Sequence, residues 1–323
     1  MPPKRPSHEY GATDHMFEMP ALVRQKSANL GQVGERWLAA LPDLVADLRH
    51  RWSINPVAAL SGGSASCVLR VRTGDGGEAV LKLAMPETGF DDQVRTLADA
   101  HGHGYAHLLA ADAERHAMLL ELCGPSMDQL TLPPELAIEN LCHTLAQAWT
   151  VPRPSGAAVD PEQEKATRLA RFVRDTWDRL GHPCSEAAVA TALRFAERRA
   201  AAFDLDRCVV VHGDPHPGNA LRAAASRPGA ESGFVFVDPD GFLAEPAYDL
   251  GVVLRDWCPQ LLAGDAKPVA RRYCALLAEH SGVDETAIWE WGFLERVSTG
   301  LFVLAFGAED VARPFLETAE LLL

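Results

Sequence analysis

The stretch that most constrains this chain is Val209-Val210-Val211-His212-Gly213-Asp214-Pro215-His216-Pro217-Gly218-Asn219. Three β-branched residues in succession read as the end of a buried strand. The run then breaks into Gly, Pro, Pro and Gly, so its polar residues sit on a tight loop at the strand's mouth. A second strand-like run, Phe234-Val235-Phe236-Val237, delivers Asp238, with Asp240-Gly241 just behind it. One loop therefore offers a carboxylate and an amide, and the next strand offers another carboxylate.

Asp214 and Asn219 stand five positions apart, the spacing of the Asp and Asn in the catalytic loop H-R-D-x-x-x-x-N of protein kinases. A base, an amide ligand and a metal carboxylate are the equipment for Mg²⁺-assisted phosphoryl transfer. A rival reading takes His212, Asp214 and His216 as ligands of a hydrolytic metal, since H-x-D-x-H can form a metal cluster. The spacing to Asn219 and Asp238, with Lys82 upstream, argues against it.

The bulk properties narrow the class. With 323 residues the chain exceeds what one hydrophobic core usually serves, so two lobes are expected. It holds no run of 18 apolar residues, so a membrane span is not expected. The charged start Met1-Pro2-Pro3-Lys4-Arg5-Pro6 is not followed by an apolar segment, unlike a signal peptide. A net charge of −14 disfavours nucleic acid as a partner and would suit a cationic small molecule. The cysteines (Cys67, Cys123, Cys142, Cys184, Cys208, Cys258 and Cys274) form no C-x-x-C pair and read as reduced thiols in a cytoplasmic protein without structural zinc.

Taken in order, residues 1–20 lack any period and read as a loose arm. Leu38, Leu41, Leu44, Val45 and Leu48 recur at helical spacing over 34–51, with Pro42 expected to break that helix in two. Strands at 57–60 and 67–71 flank Ser61-Gly62-Gly63-Ser64-Ala65-Ser66. This turn can cradle phosphates with backbone N–H groups, or it can be a plain hairpin turn. After the turn Thr73-Gly74-Asp75-Gly76-Gly77, Lys82 stands among apolar residues in the manner of the V-A-I-K lysine that pairs nucleotide phosphates. A helix over 89–100 should carry an acidic partner for it, yet shows Asp91, Asp92 and Gln93 without a clear Glu. His101, His103, His107 and His116 lie among glycines and read as loop rather than as metal ligands. The strand 117–122 ends where the lobes of a kinase would connect, so adenine would meet backbone groups of Glu121, Leu122 and Cys123. Helices then follow at 134–149, 162–180 and 185–203. Another opens at 245, and two or three more fill 266–323. The expected division is an arm (1–20), an N-lobe (21–122) and a C-lobe (123–323). The expected fold class is α+β, with a small antiparallel-sheet N-lobe and a larger, mostly helical C-lobe.

These parts together resemble the aminoglycoside phosphotransferases, which share the protein-kinase-like fold with choline kinases. Their pattern H-G-D-x-H-x-x-N appears as His212, Gly213, Asp214, His216 and Asn219. Their second pattern appears as Asp238-Pro239-Asp240-Gly241 followed by Glu245-Pro246-Ala247-Tyr248-Asp249-Leu250, with Glu245 in place of an Asp. Within the family the streptomycin 6-kinase and hydroxyurea phosphotransferase branch is most similar, through Leu41-Pro42, Arg51-Trp52, Gly62-Gly63-Ser64-Ala65-Ser66 and Leu81-Lys82-Leu83-Ala84-Met85-Pro86. The resemblance covers roughly 35–257. It implies ATP (or GTP) and Mg²⁺. It also implies a role for each motif residue: Asp214 receives the acceptor hydroxyl, Asn219 and Asp238 hold the metal, and Lys82 positions the phosphates. Gly63, Ser64, Ala65 and Ser66 line those phosphates. His212, His216 and Asp240 support the loop, and Asp249 anchors it. The branch usually has a Glu where Gln93 stands, so either Asp92 substitutes for it or Lys82 lacks a strong ionic partner.

The implied activity is O-phosphorylation of a small molecule, an aminoglycoside such as streptomycin foremost. Hydroxyurea, a peptide antibiotic, a macrolide or an amino alcohol are alternative acceptors, and a catalytically inactive nucleotide-binding module is the reading from outside enzymes. Asp256, Asp265, Glu290 and Glu295 are candidate receptors for a cationic substrate, or simply residues of a solvated helix face. Monomer and homodimer are both compatible with the sequence.

Overall fold

The structure, a computed structural model, describes residues 19–60, 65–86 and 89–323. Most of the 1–20 arm and the turn residues 61–64, Gly63 and Ser64 among them, lie outside the described residues. The chain divides into two compact units, one holding the described residues up to Val94 together with His107–Leu122, the other Arg95–Ala106 and Cys123–Leu323.

The first unit opens with helices α1 (Ala21–Asn29) and α2 (Gln32–Arg51). Pro42 lies inside α2 and does not divide it. Its missing N–H falls on the exposed side, while Trp37, Leu41, Val45 and Leu48 form the buried stripe. Strands β1 (Ile54–Ala59), β2 (Ser66–Thr73), β3 (Glu78–Ala84), β4 (Leu108–Asp112) and β5 (Ala117–Glu121) belong to this unit, and helix α3 (Phe90–Ala100), between β3 and β4, begins in it and runs on as part of the second. The strands form one antiparallel sheet in the order β1-β2-β3-β5-β4. Pro56 sits in edge strand β1 beside a register shift, where a lost ladder donor is tolerated. One face of the sheet, with Leu69, Val71, Ala79, Leu81 and Leu83, packs on the α2 stripe. The histidine-containing segment read as loop thus contains a strand, β4. Its alternation is weak because it is half-buried at the sheet's other edge.

The second unit contains α4 (Pro134–Ala148), α5 (Lys165–Arg179), α6 (Glu186–Ala201), α7 (Pro246–Arg255), α8 (Cys258–Ala263), α9 (Ala266–Ser281), α10 (Glu285–Ala305) and α11 (Glu309–Leu321). Four short strands interrupt them: β6 (Val209–Val211) pairs with β9 (Phe242–Ala244), and β7 (Ala220–Arg222) with β8 (Phe234–Phe236). Helix α10 is buried on nearly all sides and packs against α7, α6, α11 and α5. Its crossing with α7 is very close, since a Cβ on Gly251 would lie 2.4 Å from Cβ of Trp291. That crossing sets where the end of α7 meets the strand ends. Among the described residues no helix is long and apolar enough to cross a membrane.

Candidate active site

The loop after β6 is held from beneath by one carboxylate. Asp249, near the start of α7 and without solvent exposure, accepts the N–H of His212 on Oδ2 at 2.9 Å and that of Gly213 on Oδ1 at 2.8 Å. The indole of Trp149 donates to Oδ2 at 2.8 Å. Burial pushes the acid up to about 6, while these three N–H donors favour its charged form. An anion here satisfies two backbone donors that the sharp turn would otherwise leave unpaired.

His212 ties the two strand-end loops together. Its Nδ1 accepts the N–H of Asp214 at 3.1 Å, so Nε2 carries the proton and donates to the carbonyl of Val237 at 2.9 Å. The ring is fully buried, stacked against Tyr105 and edge-on to Phe236. Burial pushes its pKa down to about 4, so it is a neutral strut. Two backbone bonds complete the stitching, from Val237 N–H to the carbonyl of Asn219 at 3.0 Å and from Asp240 N–H to that of His212 at 2.7 Å. Asp238, between those attachment points, has a left-handed backbone with φ of 60°, a conformation Asp tolerates better than most residues. The amide of Asn219 donates to the carbonyl of Asp214 at 3.0 Å. His216 accepts the N–H of Gly218 at 3.1 Å, and its Nε2 lies 3.6 Å from Oδ2 of Asp214. The second unit thus brings His212, Asp214, His216, Asn219, Asp238, Asp240 and Asp249 into one cluster.

Asp214 has a neighbour that sequence reasoning missed. Arg255, the last residue of α7, donates through Nη2 to Oδ1 of Asp214 at 2.5 Å. Its Nη1 donates to Glu295 at 3.1 Å and to Thr299 at 3.2 Å, and its Nε to Asp256 at 3.2 Å. Glu295 also accepts the hydroxyl of Tyr248 at 2.7 Å. Crowding by protein works to raise the Asp214 pKa, but the Arg255 charge and hydrogen bond, helped by His216, bring it below the ordinary carboxylate value. In the sequence Arg255 looks like any basic residue at a helix C-terminus. Its one signal is the seven-residue step from Tyr248, which places both on one face of α7.

The carboxylates considered as receptors for a cation are mostly committed within the protein. Glu295 and Asp256 bind Arg255, while Glu290 pairs with Arg198 at 2.8 Å and Arg199 at 2.6 Å. Only Asp265 of these four is exposed. Asp240 differs: its carboxylate reaches solvent, yet crowding by surrounding protein, with the charges of Asp214 and Glu295, pushes it up to about 6 against the opposing pull of Lys165 and Arg255. The ammonium of Lys165 lies 4.9 Å from the ring centre of Phe242 and 4.8 Å from that of Tyr248.

In the first unit, strand alternation turns Leu81 and Leu83 toward α2 and Lys82 to the other face. There Lys82, 7% exposed, donates through Nζ to Oε1 of Gln93 on α3 at 3.0 Å. Asp92 precedes Gln93 on the same helix. Ala65 accepts the N–H of Met85 at 2.9 Å, and Ser66 opens β2 opposite Ala84. The N–H of Glu121 donates to the carbonyl of His107 at 3.0 Å. Leu122 and Cys123 follow directly at the boundary between the units.

Asn219 and Asp238 fit Mg²⁺ by chemistry. The Asn219 amide donates through its nitrogen and so leaves its oxygen for a cation, and a carboxylate and an amide oxygen are hard ligands. For the hydrolase reading, both nitrogens of His212 are engaged internally. Among the described residues no group of three or more His, Cys, Asp or Glu could hold a metal ion.

Known structures share this architecture. The AMP-bound spectinomycin phosphotransferase matches with a TM-score of 0.55 at 15% identity, covering 87% of this chain and 97% of that one. The fold is thus that of the protein-kinase-like phosphotransferases. Residues 51–305 match the aminoglycoside/hydroxyurea antibiotic resistance kinases, and the chain belongs to that family of small-molecule kinases. It is 30% identical to the streptomycin 6-kinase of Streptomyces glaucescens over 92% of this chain and 94% of that protein. It is 27% identical to the hydroxyurea phosphotransferase of Kitasatospora aureofaciens over 94% of this chain and 85% of that protein.

Proposed function

We propose that this protein transfers the γ-phosphate of ATP to a hydroxyl of an aminoglycoside-type antibiotic, streptomycin being the first acceptor to try. The observation that carries the reaction is the stitched pair of loops that bear Asp214, Asn219 and Asp238: Asp249 holds the N–H groups of His212 and Gly213, the Asn219 amide donates to the carbonyl of Asp214, and Val237 and Asp240, on either side of Asp238, donate to the carbonyls of Asn219 and His212. Asp214 receives the acceptor hydroxyl and takes its proton as the oxygen–phosphorus bond forms and the bond to the departing ADP breaks. A carboxylate held below its ordinary pKa is a weak base, which suits a loose transition state that calls mainly for alignment. Asn219 and Asp238 would hold Mg²⁺, which when bound would neutralise charge on the nucleotide phosphates. Lys82, oriented by Gln93, takes up nucleotide phosphates, and Ala65 and Ser66, at the end of the turn before β2, would line them with backbone N–H groups. The choice of acceptor rests on the likeness to streptomycin 6-kinases along most of the chain.

The test is ADP release with streptomycin, spectinomycin and hydroxyurea as acceptors, and with GTP in place of ATP. Turnover on streptomycin is expected, and none on any of the three would refute the acceptor class. Asp214→Ala should lower turnover about 10²- to 10⁴-fold while nucleotide binding persists. Asp238→Ala should instead weaken nucleotide binding in the presence of Mg²⁺, and unchanged affinity would remove it as a metal ligand.

A further inference from the structure

Arg255 is 11% exposed, and its four donations are distributed over four side chains. Three of those, Asp256, Glu295 and Thr299, hold the guanidinium in place, and Tyr248 holds Glu295 in turn. The fourth is Oδ1 of Asp214, whose side chain is 42% exposed. Among the described residues the other oxygen, Oδ2, has no comparable bond, and Nε2 of His216 lies 3.6 Å from it. A lone aspartate at a loop tip can rotate about χ1 and χ2, so an incoming hydroxyl would meet a carboxylate of undefined direction. A rigid guanidinium on one oxygen removes that freedom and leaves the second oxygen to meet the hydroxyl.

We propose that Arg255 is the positioning residue of the acceptor-binding carboxylate: braced by Glu295, Thr299 and Asp256, it holds Oδ1 of Asp214 so that Oδ2 alone receives the substrate hydroxyl. This rests on the reading of Asp214 given above. The guanidinium acts through Asp214 and itself touches neither acceptor nor nucleotide. Misplacing a reacting group by about 1 Å can cost on the order of 10²-fold in rate, so loss of Arg255 should fall on kcat rather than on binding.

The experiment compares wild type, Arg255→Ala, Arg255→Lys, Glu295→Gln and Asp214→Asn, with streptomycin as acceptor and direct ATP-binding and melting measurements on each. Arg255→Ala should lower kcat about 10²-fold with KM and ATP affinity within a few-fold. Added guanidinium at millimolar concentration should restore part of that kcat, whereas methylammonium should not. Arg255→Lys should fall between, and Glu295→Gln should show a smaller loss of the same kind. Wild-type kcat in both Arg255 variants, with Asp214→Asn inactive, would overturn the proposal and leave the role of Asp214 standing. Full activity of Asp214→Asn would instead overturn the role of Asp214 itself. If Arg255→Ala melts far lower, a failure of both Arg255→Lys and guanidinium to recover kcat in folded protein counts against positioning.

Discussion

At the scale of single residues, Gly213 shows how tightly the loop is drawn. Its φ is +94°, and a Cβ would lie 2.6 Å from Cβ of Asp240 and 2.9 Å from Cε1 of Phe242. The left-handed turn lets His212 and Gly213 direct consecutive N–H groups at the two oxygens of Asp249. Gly213→Ala would have to move one strand end or the other, breaking the Asp240-to-His212 bond beside it. We expect a loss of about 2 kcal/mol or more in unfolding free energy, together with reduced turnover. Urea unfolding and ADP release measure both, and an alanine variant of native stability would show that the loop has slack. The motif H-G-D and its tight loop were legible in the sequence. That the carboxylate beneath it would be Asp249 followed only from a family resemblance, because the two positions are far apart in the chain and nothing local connects them.

At the scale of elements, α10 combines an apolar surface with buried charge. Glu290, Glu295 and Arg296 are all 4% exposed or less, and each is engaged. Arg296 donates to Thr318, to the carbonyl of Leu254 and to the sulfur of Cys258. Glu290 pins α10 to α6 through Arg198 and Arg199, the latter 14% exposed. Glu290→Ala leaves Arg199 with its longer pairing to Glu245 at 3.4 Å, which should cost about 2 kcal/mol of stability. Glu290 does not touch the cluster around Asp214, so kcat at a temperature well below melting should stay within a few-fold of wild type. A stability loss below 1 kcal/mol would mean that solvent compensates the pair. The sequence placed helices over these segments, one at 185–203 and two or three within 266–323. It could not separate acidic residues that face solvent from those that pair internally, since an arginine on another helix decides between the two.

At the scale of the whole molecule, the polar groups buried at the site give stability a pH dependence. Burial holds His212 neutral in the native state down to about pH 4, whereas an unfolded imidazole takes its proton near 6.5. Between those values the unfolded chain binds more protons, so this residue's contribution to stability falls as pH drops through that window. Asp240 and Asp249, pushed up to about 6, act in the opposite sense, because the native carboxylates take protons before the unfolded ones do. Comparing wild type with His212→Gln isolates the histidine. The stability difference in favour of wild type at pH 7 should shrink by on the order of 2–3 kcal/mol by pH 4.5. Urea unfolding across that range gives the answer, and a constant difference would show that His212 is not held neutral.

The sequence by itself determined the class of this protein, because phosphoryl transfer depends on residue types at short spacings: the Asp-to-Asn interval, the strand-borne Asp238 and the lysine on a strand are all local. It determined the order of elements as well, since period and turn chemistry are local too. Pro42 and the β4 strand departed from expectation because solvent exposure and edge position overrode local preference. Only the tertiary structure decided which charges meet. The close α7–α10 crossing carries Arg255 to Asp214 and Glu295 to Arg255. Such a contact depends on the packing distance between two helices, and a long side chain reaches its partner or solvent according to that distance alone.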